Sequence, residues 1–224
     1  MGHNSYGSNE KYEKKLIKEG THLAICYSFI DLGTHVEESF GKIEPIHKIQ
    51  IGWELPNLVE KYTPKDTEEE KDFIPYIFKE YTDSLNEKSN LHKDLVSWRG
   101  KQFTEEELNG FDIEKVVGVP CLLTIVHVTA KTSGNEYEKI TSVSKIVEGM
   151  PVPELSRSMR FLSFQDEPYN ENLYNSLPEW LQNKIATSNE YKRMNTEEVV
   201  VSETTYNEST KPIDNGEPDD DVPF

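Results

Sequence analysis

Runs of β-branched and aromatic residues, bounded by glycine and proline, constrain the fold of this chain more than any other feature. Residues 20–32 form the first run, which is apolar on both faces in its middle and therefore predicts a long, bent strand. Residues 47–55 alternate between apolar and polar positions and end at a proline. This alternation places Ile49, Ile51 and Trp53 on one face, which predicts a half-buried antiparallel strand.

Three further segments have the composition of β-strands, and one segment is predicted to form a loop. Residues 119–131 and 137–146 are joined by the turn sequence Thr-Ser-Gly-Asn-Glu, which predicts a hairpin. Residues 160–164 predict a short final strand. Residues 33–45, which separate the first two strands and contain two glycines, predict a hairpin-like loop.

Between the second strand and this hairpin, the hydrophobic period changes to that of a helix. Apolar residues recur there every four positions, which places them on one helical face, and they are Phe73, Ile77, Tyr81 and Leu85. Ser89 and Gly100 predict the N-cap and the end of a second helix. Thr104 and Glu107 have capping-box spacing, which predicts a short third helix.

Together these elements predict a mainly β (α+β) fold, a five-stranded β-barrel of the oligonucleotide-binding (OB) type with a helical insertion between strands 2 and 3. A β-sandwich is the main alternative, but the chain supplies too few predicted strands for it. The C-terminal residues are rich in Asn, Thr, Ser and Glu and cannot bury enough apolar surface to offset the entropy of ordering. We therefore predict a flexible N-terminal arm (residues 1–18), one OB-type domain (residues 19–187) and a disordered acidic tail (residues 188–224).

Composition argues against several classes of function. No apolar run approaches 18 residues, so no membrane span is predicted. Cys26 and Cys121 lie in apolar runs, which favours two buried thiols in the cytoplasm over a disulfide or a metal pair. The histidines are scattered, and the sequence contains no recognisable nucleophile, phosphate-loop or metal-ligand motif. We therefore predict no enzymatic activity, no cofactor and no metal.

Aromatic rings interleaved with cations indicate instead a surface that binds single-stranded DNA. Flat rings stack on bases, which contributes roughly 1–3 kcal/mol per base, and cations follow the phosphates. Packing in the core is an equally good interpretation for most of these rings. The candidate residues are Tyr27, Phe29, Lys48, Gln50, Trp53, Trp98, Arg99, Lys101, Phe103, Tyr137, Lys139 and Lys145. The formal net charge of −17 restricts any such surface to a local patch.

The end of the chain combines carboxylates with a terminal aromatic ring, and no Lys or Arg follows Lys211. Its final sequence, "DDDVPF", closely resembles the acidic tip of bacterial single-stranded DNA-binding proteins. This resemblance implies a tip that docks on replication and recombination enzymes, such as a helicase, primase, polymerase or exonuclease. The ring can enter an apolar pocket while the carboxylates meet basic residues around it. The predicted partner-binding residues are Asp219, Asp220, Asp221, Val222, Pro223 and Phe224.

The body, over roughly residues 20–185, carries a second resemblance. Its sequences "GTHLAICYSFIDLGT", "IGWELP", "WRGKQFTEEE" and "GVPCLLTIVHV" resemble a family of tailed-phage single-stranded DNA-binding proteins with a similar barrel. The resemblance implies a protein that coats and protects single strands, without sequence specificity or catalysis, during phage DNA replication or recombination. The alternative is an acidic adaptor or DNA mimic with no DNA affinity. The sequence leaves the oligomeric state open between a monomer and a homodimer.

Overall fold

A computed structural model describes residues 16–39, 41–62 and 69–196, and it is mainly β with an antiparallel sheet and short helices. The strands are β1 (Gly20–Ser39), β2 (Lys42–Glu54), β3 (Glu60–Tyr62), β4 (Lys71–Phe73), β5 (Tyr76–Thr82), β6 (Pro120–Thr129), β7 (Glu136–Ser144) and β8 (Arg160–Leu162). The helices are α1 (Asn90–Arg99), α2 (Glu105–Leu108), α3 (Glu171–Asn175) and α4 (Glu179–Ala186), with a 3-10 turn at Ile113–Val116. Residues 189–196 are also helical, and we call them the C-terminal helical segment.

The main sheet has the strand order β5-β2-β1-β6-β7, in which all neighbours are antiparallel, and β8 pairs with β1 in parallel. Within the described residues no pairing joins the edge strands β5 and β7, so the predicted closed barrel is not found. Helix α1 lies across this opening. Its Asp94 accepts hydrogen bonds from Lys79 Nζ (2.6 Å) and Tyr81 Oη (2.8 Å) of β5. Beyond the end of β7, Lys145 N donates to Ser97 O of α1 (3.1 Å).

The main hydrophobic core fills the space between the inner face of the sheet and α1. The inward residues of β2 are buried as their alternation predicts, and the partners that α1 supplies are Leu91, Leu95 and Trp98. The strand is not half-buried as predicted, because Gln50 and Glu54 on its other face are also buried. Both predicted ends of α1 are confirmed: Ser89 Oγ accepts from His92 N (3.1 Å), and Gly100 adopts the left-handed conformation with φ of 67°. Two features predicted from the sequence, the alternation and the caps, therefore fix the strand and helix that enclose the core.

The two cysteines are confirmed as buried free thiols on neighbouring strands. Burial raises the pKa of Cys26 to about 12 and raises that of Cys121 well above its usual value. Both thiols are therefore neutral at physiological pH and behave as small apolar side chains of the core.

The helix predicted around Phe73, Ile77 and Tyr81 is wrong, because Tyr76–Thr82 forms strand β5 and Phe73 belongs to β4. A spacing of four residues is shared by one helical face and by every second position of one strand face, so the pattern fits both structures. Pairing with β2 decides between them, since Ile77 and Tyr81 join the core from a strand opposite Trp53 and Ile49. The helical insertion therefore follows a third long strand instead of the second.

The loop predicted over residues 33–45 is also wrong, because β1 and β2 continue as a paired hairpin up to Ser39 and Lys42. Val36 and Ile43 are exposed on this extension. Since the extension buries neither face, it lacks the alternation that identifies a half-buried strand, and backbone pairing alone defines it.

A second, smaller hydrophobic cluster covers the opposite face of β1. It consists of Ile30, Leu32, Leu162, Tyr174, Leu177, Leu181 and Ile185. Tyr191 of the C-terminal helical segment packs against it, and Ser188 is fully buried. The carboxylate of Glu190 accepts hydrogen bonds from Thr34 N (2.7 Å) and Thr34 Oγ1 (2.6 Å). Residues 188–196 are therefore part of the folded body, contrary to the predicted start of the tail.

The folded body also begins earlier than predicted. Ile17 is buried in the main core, its N–H donates to Glu138 Oε1 (3.2 Å), and its carbonyl lies 2.7 Å from His127 Nε2. A side chain placed in the predicted flexible arm thus supplies core contacts. Residues 1–15 and 197–224, which include most of the predicted arm and the whole partner-binding tip, lie outside the described residues.

His47 makes the stability of the hairpin base dependent on pH. Its Nε2 lies 2.8 Å from Asp31 Oδ1, and this hydrogen bond, reinforced by the charges of Asp31, Asp83 and Glu190, raises the pKa of His47. A raised pKa in the folded state stabilises the protein below the unfolded pKa of about 6.5, and this contribution disappears as the pH rises through the folded pKa. We expect urea unfolding between pH 6 and 9 to show falling stability in the wild type and a flatter profile in His47→Gln. Parallel profiles for the two proteins would contradict this assignment.

Candidate nucleic-acid interface

An aromatic cleft lies on the outer face of β1, β2 and β5, opposite the main core. Its volume is about 230 Å³, and its principal lining residues are Tyr27, Gln50, Tyr76, Phe78, Arg157 and Trp180. Strand alternation builds it, because Gln50 and Phe78 alternate along their strands with the buried Ile51 and Ile77. The volume is below the roughly 300–1,000 Å³ of a pocket for drug-sized ligands, which suits a flat ring.

The rings of the cleft contact one another at angles typical of aromatic clusters. Tyr76 and Phe78 meet edge to face with centroids 5.4 Å apart, and Tyr27 lies beneath them, 6.2 Å from Tyr76 and 6.1 Å from Phe78. Burial raises the pKa of Tyr27 to about 12, so its phenol is neutral at physiological pH. Tyr76 is 40% exposed, and Trp180 of α4 is 56% exposed. The cleft therefore has a buried floor and two exposed aromatic walls.

Gly52 allows the ring of Phe78 to lie flat against the sheet. The two residues are direct partners in the β2–β5 ladder. A Cβ on Gly52 would stand 2.4 Å from Phe78 Cε1, which is closer than real Cβ contacts come. The absence of a side chain at this position thus sets the position of one ring of the cleft.

Arg157 places a cation over the rings. Its Cζ lies 4.3 Å from the centroid of Tyr76, and its Nη2 donates to Ile74 O (2.8 Å). Its Nε lies 3.4 Å from Oε2 of the fully buried Glu54. The same carboxylate accepts from Ser156 N (2.9 Å) and Ser156 Oγ (2.7 Å). Glu54 therefore holds the loop that carries Arg157, and the guanidinium is a fixed planar cation on which a base can stack.

Gln50 contributes a polar atom to the floor of the cleft. The residue is 5% exposed, and its Oε1 has no hydrogen-bond partner among the described residues. Buried side-chain oxygens are almost always paired, so this one requires a reason. A ligand group that enters the cleft and donates to it would supply the missing partner.

A carboxylate bridged by two lysines continues the polar surface beyond Gln50. Glu80 faces Gln50 in the β2–β5 ladder, and Lys48 Nζ lies 3.5 Å from Glu80 Oε1. Lys184 of α4 forms an ion pair with the other carboxylate oxygen, Oε2. Lys48 also pairs with Glu37 Oε2 at 2.9 Å. Lys48 and Lys184 are therefore both matched by carboxylates in the free protein.

The structure brings only part of the predicted DNA-binding set to this cleft. Tyr27 and Gln50 form its floor, and Lys48 lies beside it. Phe29, Trp53 and Trp98 belong to the main core instead, where Trp53 is 0% exposed and Phe29 stacks on Phe161 at 4.9 Å. A ring packed in the core cannot stack on a base, so those three predictions are wrong.

The predicted segment around Arg99 forms a separate site at the end of α1. Arg99 pairs with Glu107, and its Cζ lies 4.4 Å from the ring of Phe103 and 4.9 Å from that of Phe111. Lys101 Nζ is 3.5 Å from the same Glu107 carboxylate. Phe103 packs against the main core. Both cations are thus paired with one carboxylate, and none of these side chains lines the aromatic cleft.

The remaining predicted residues lie at the far edge of the sheet. Tyr137 and Lys139 are exposed on β7, which β1 and β6 separate from β2, and Lys145 is exposed just beyond its end. Sequence reasoning missed Lys184, which pairs with Glu80 beside the cleft, and it also missed the residues that complete the cleft, which are Tyr76, Phe78, Arg157, Arg160 and Trp180. A strand interpretation of β5 would have placed Tyr76 and Phe78 on one outward face, with Phe78 opposite Gly52. Arg157, in a loop, carries no comparable signal.

Comparison with known proteins finds no match for this chain among protein-family models, curated proteins or solved structures. None of the helices in the described part of the chain has both the length and the apolar character needed to cross a membrane.

Proposed function

We propose that this protein binds single-stranded DNA without sequence specificity, with the bases held in the aromatic cleft. The observation that carries the proposal is the group of rings around Arg157 on an outer sheet face, where Tyr76 and Trp180 are exposed. Every base has a π-face, so stacking on such rings tolerates any sequence and contributes roughly 1–3 kcal/mol per base. The role is to coat and protect exposed single strands during DNA replication or recombination, with no catalytic step.

We further propose that the fold is an open form of the OB type. An OB fold is a five-stranded, partly open barrel that binds oligonucleotides on the face of its second and third strands. In this chain β2 and β5 are the second and third strands of the main sheet in chain order, and the cleft lies on their outer face. The strand order and the position of α1 between β5 and β6 support this assignment.

The acidic tip, which lies outside the described residues, is proposed to recruit partner enzymes of replication and recombination. The support is its sequence, since Asp219 to Asp221 directly precede Val222, Pro223 and Phe224. An aromatic residue entering an apolar pocket gives such a contact its anchor, and the charges accelerate encounter with a basic partner.

An oligonucleotide titration and a partner-capture assay test the two parts of this proposal. We expect the full chain to bind a labelled oligo-dT of about 15 nucleotides, with weaker binding at higher salt, because phosphate contacts release counterions. A chain ending at Ser209 should keep or improve this affinity and lose the capture of helicase or exonuclease partners. Tryptophan fluorescence should be quenched, with Trp180 as the source, since Trp53 and Trp98 are buried. No binding at about 10 µM protein in 50 mM salt would exclude the function, because nonspecific binding alone reaches that range.

The net charge of −17 favours a second candidate, an acidic adaptor or DNA mimic that occupies the nucleic-acid site of another protein. This candidate predicts no oligonucleotide affinity for either the full chain or the chain ending at Ser209. The same titration therefore separates the two functions.

A further inference from the structure

Glu80 holds two lysines from different elements at one end of the aromatic cleft. Lys48 comes from β2 and lies 3.5 Å from Glu80 Oε1, while Lys184 comes from α4 and pairs with Glu80 Oε2. The side chains of Lys48, Glu80 and Lys184 are 17%, 33% and 31% exposed, so all three remain in contact with solvent. One carboxylate thus bridges two ammonium groups, one of which, Lys48, also pairs with Glu37 at 2.9 Å.

The position of this cluster relates it to the cleft. Glu80 is the ladder partner of Gln50, whose side chain lies in the cleft floor. Trp180 and Lys184 are four residues apart on α4, so they share one face of that helix. Lys48 therefore lies two residues from Gln50 along β2, and Lys184 lies one helical turn from Trp180, so both lysines neighbour groups that line the cleft.

We propose that Lys48 and Lys184 form a phosphate-binding pair for the strand whose bases occupy the cleft, and that Glu80 occupies this pair in the free protein. The inference rests on the proposed function. A carboxylate and a phosphodiester each present two anionic oxygens to ammonium donors, so the geometry that holds Glu80 also suits a backbone phosphate. Glu80 must then leave the lysines when DNA binds, and its charge repels the incoming phosphate.

Glu80→Gln is therefore expected to raise affinity for oligo-dT at least fivefold in 50 mM salt. The substitution removes the carboxylate that competes with phosphate for Lys184, whereas Lys48 keeps its second partner Glu37. The slope of log K against log salt should therefore steepen by roughly 0.7, the value for one additional cation engaged on a single strand. A purely structural role for Glu80 would not steepen this slope. Fluorescence anisotropy of a labelled oligo-dT over a salt series measures both quantities.

Glu70→Gln is the matched control, because it removes the same charge from an exposed pair with Lys61 on the β3–β4 hairpin. Its affinity should change less than twofold. A second variant, Lys184→Gln, should weaken binding more in the Glu80→Gln background than in the wild type, which a double-mutant cycle measures.

The outcomes distinguish the two proposals. Wild-type binding with unchanged or weaker binding by a folded Glu80→Gln protein would overturn the phosphate pair and leave the cleft intact. Equal gains in Glu80→Gln and Glu70→Gln would also overturn it, since net charge alone would explain the effect. Absence of binding by both the wild type and Glu80→Gln would overturn the proposed function and the pair with it.

Discussion

Replacing Tyr76 with alanine is expected to weaken oligo-dT binding roughly 5- to 150-fold, the equivalent of the 1–3 kcal/mol that one stacked base contributes. Tyr76 is 40% exposed and supports Arg157 at 4.3 Å, so its loss removes a stacking surface and releases the guanidinium beside it. The effect on folding should be small, because the ring lies at the end of β5 and outside the main core. Anisotropy titrations of a labelled oligo-dT measure the affinity, and the unfolding midpoint checks the fold.

Tyr137→Ala provides the matched control. Tyr137 is 44% exposed on β7, so the two substitutions remove the same side chain from similarly exposed positions of one sheet. We expect Tyr137→Ala to change affinity less than twofold. The opposite result, a loss in Tyr137→Ala with Tyr76→Ala unaffected, would move the interface to the β6–β7 face that the sequence also predicted.

The parts of the fold that the sequence predicts are those with a single physical explanation. Ile49, Ile51 and Trp53 are separated by polar residues, and only a strand places them on one buried face. Ser89 and Gly100 predict the ends of α1 because an N-cap oxygen and a left-handed glycine satisfy backbone groups locally. Such features depend on a few adjacent residues, so one sequence is enough to identify them.

The parts that the sequence misses depend on distant partners. Ile77 and Tyr81 fit a helix or a strand equally, and only pairing with β2 decides. The same dependence on distant partners explains why the sequence predicts only part of the candidate site. Tyr27 and Gln50 belong to predicted strands, whereas Arg157 reaches the rings because Glu54, about a hundred residues earlier in the chain, holds its loop. No local sequence pattern predicts the contact between Glu54 and the loop of Arg157.

The two faces of the main sheet differ in their chemical character. The inner face is apolar and closed by α1, while the outer face carries a fully buried carboxylate, Glu54. Within the described part of the chain, its partners are donors of Ser156 and Arg157. Removing one partner of a buried charge pair is strongly destabilising, which is the reason such pairs fix geometry. The aromatic cleft is thus held by the folded scaffold and does not depend on a ligand to assemble it.

The substitution with the largest expected effect on stability is Gly33→Ala, which should lower the free energy of unfolding by about 2–5 kcal/mol. Gly33 has a φ of 75°, where an L side chain costs about 1–2 kcal/mol. An added Cβ would also stand 2.5 Å from Ser188 Cβ and 2.8 Å from Glu190 Oε2. The clash falls on the contact that joins the C-terminal helical segment to the hairpin. Urea unfolding measures the loss, and hydrogen exchange of residues 188–196 should accelerate.

Gly41→Ala separates the backbone effect from the clash. Gly41 has a φ of 76°, nearly the same as Gly33, but no heavy atom among the described residues lies within 4 Å of an added Cβ. We therefore expect a loss of only about 1–2 kcal/mol, the cost of the left-handed conformation itself, with unchanged exchange in residues 188–196. The difference between the two variants measures the packing of Ser188 and Glu190 against the hairpin. Equal losses would mean that this packing contributes nothing and that the segment is attached to the body only weakly.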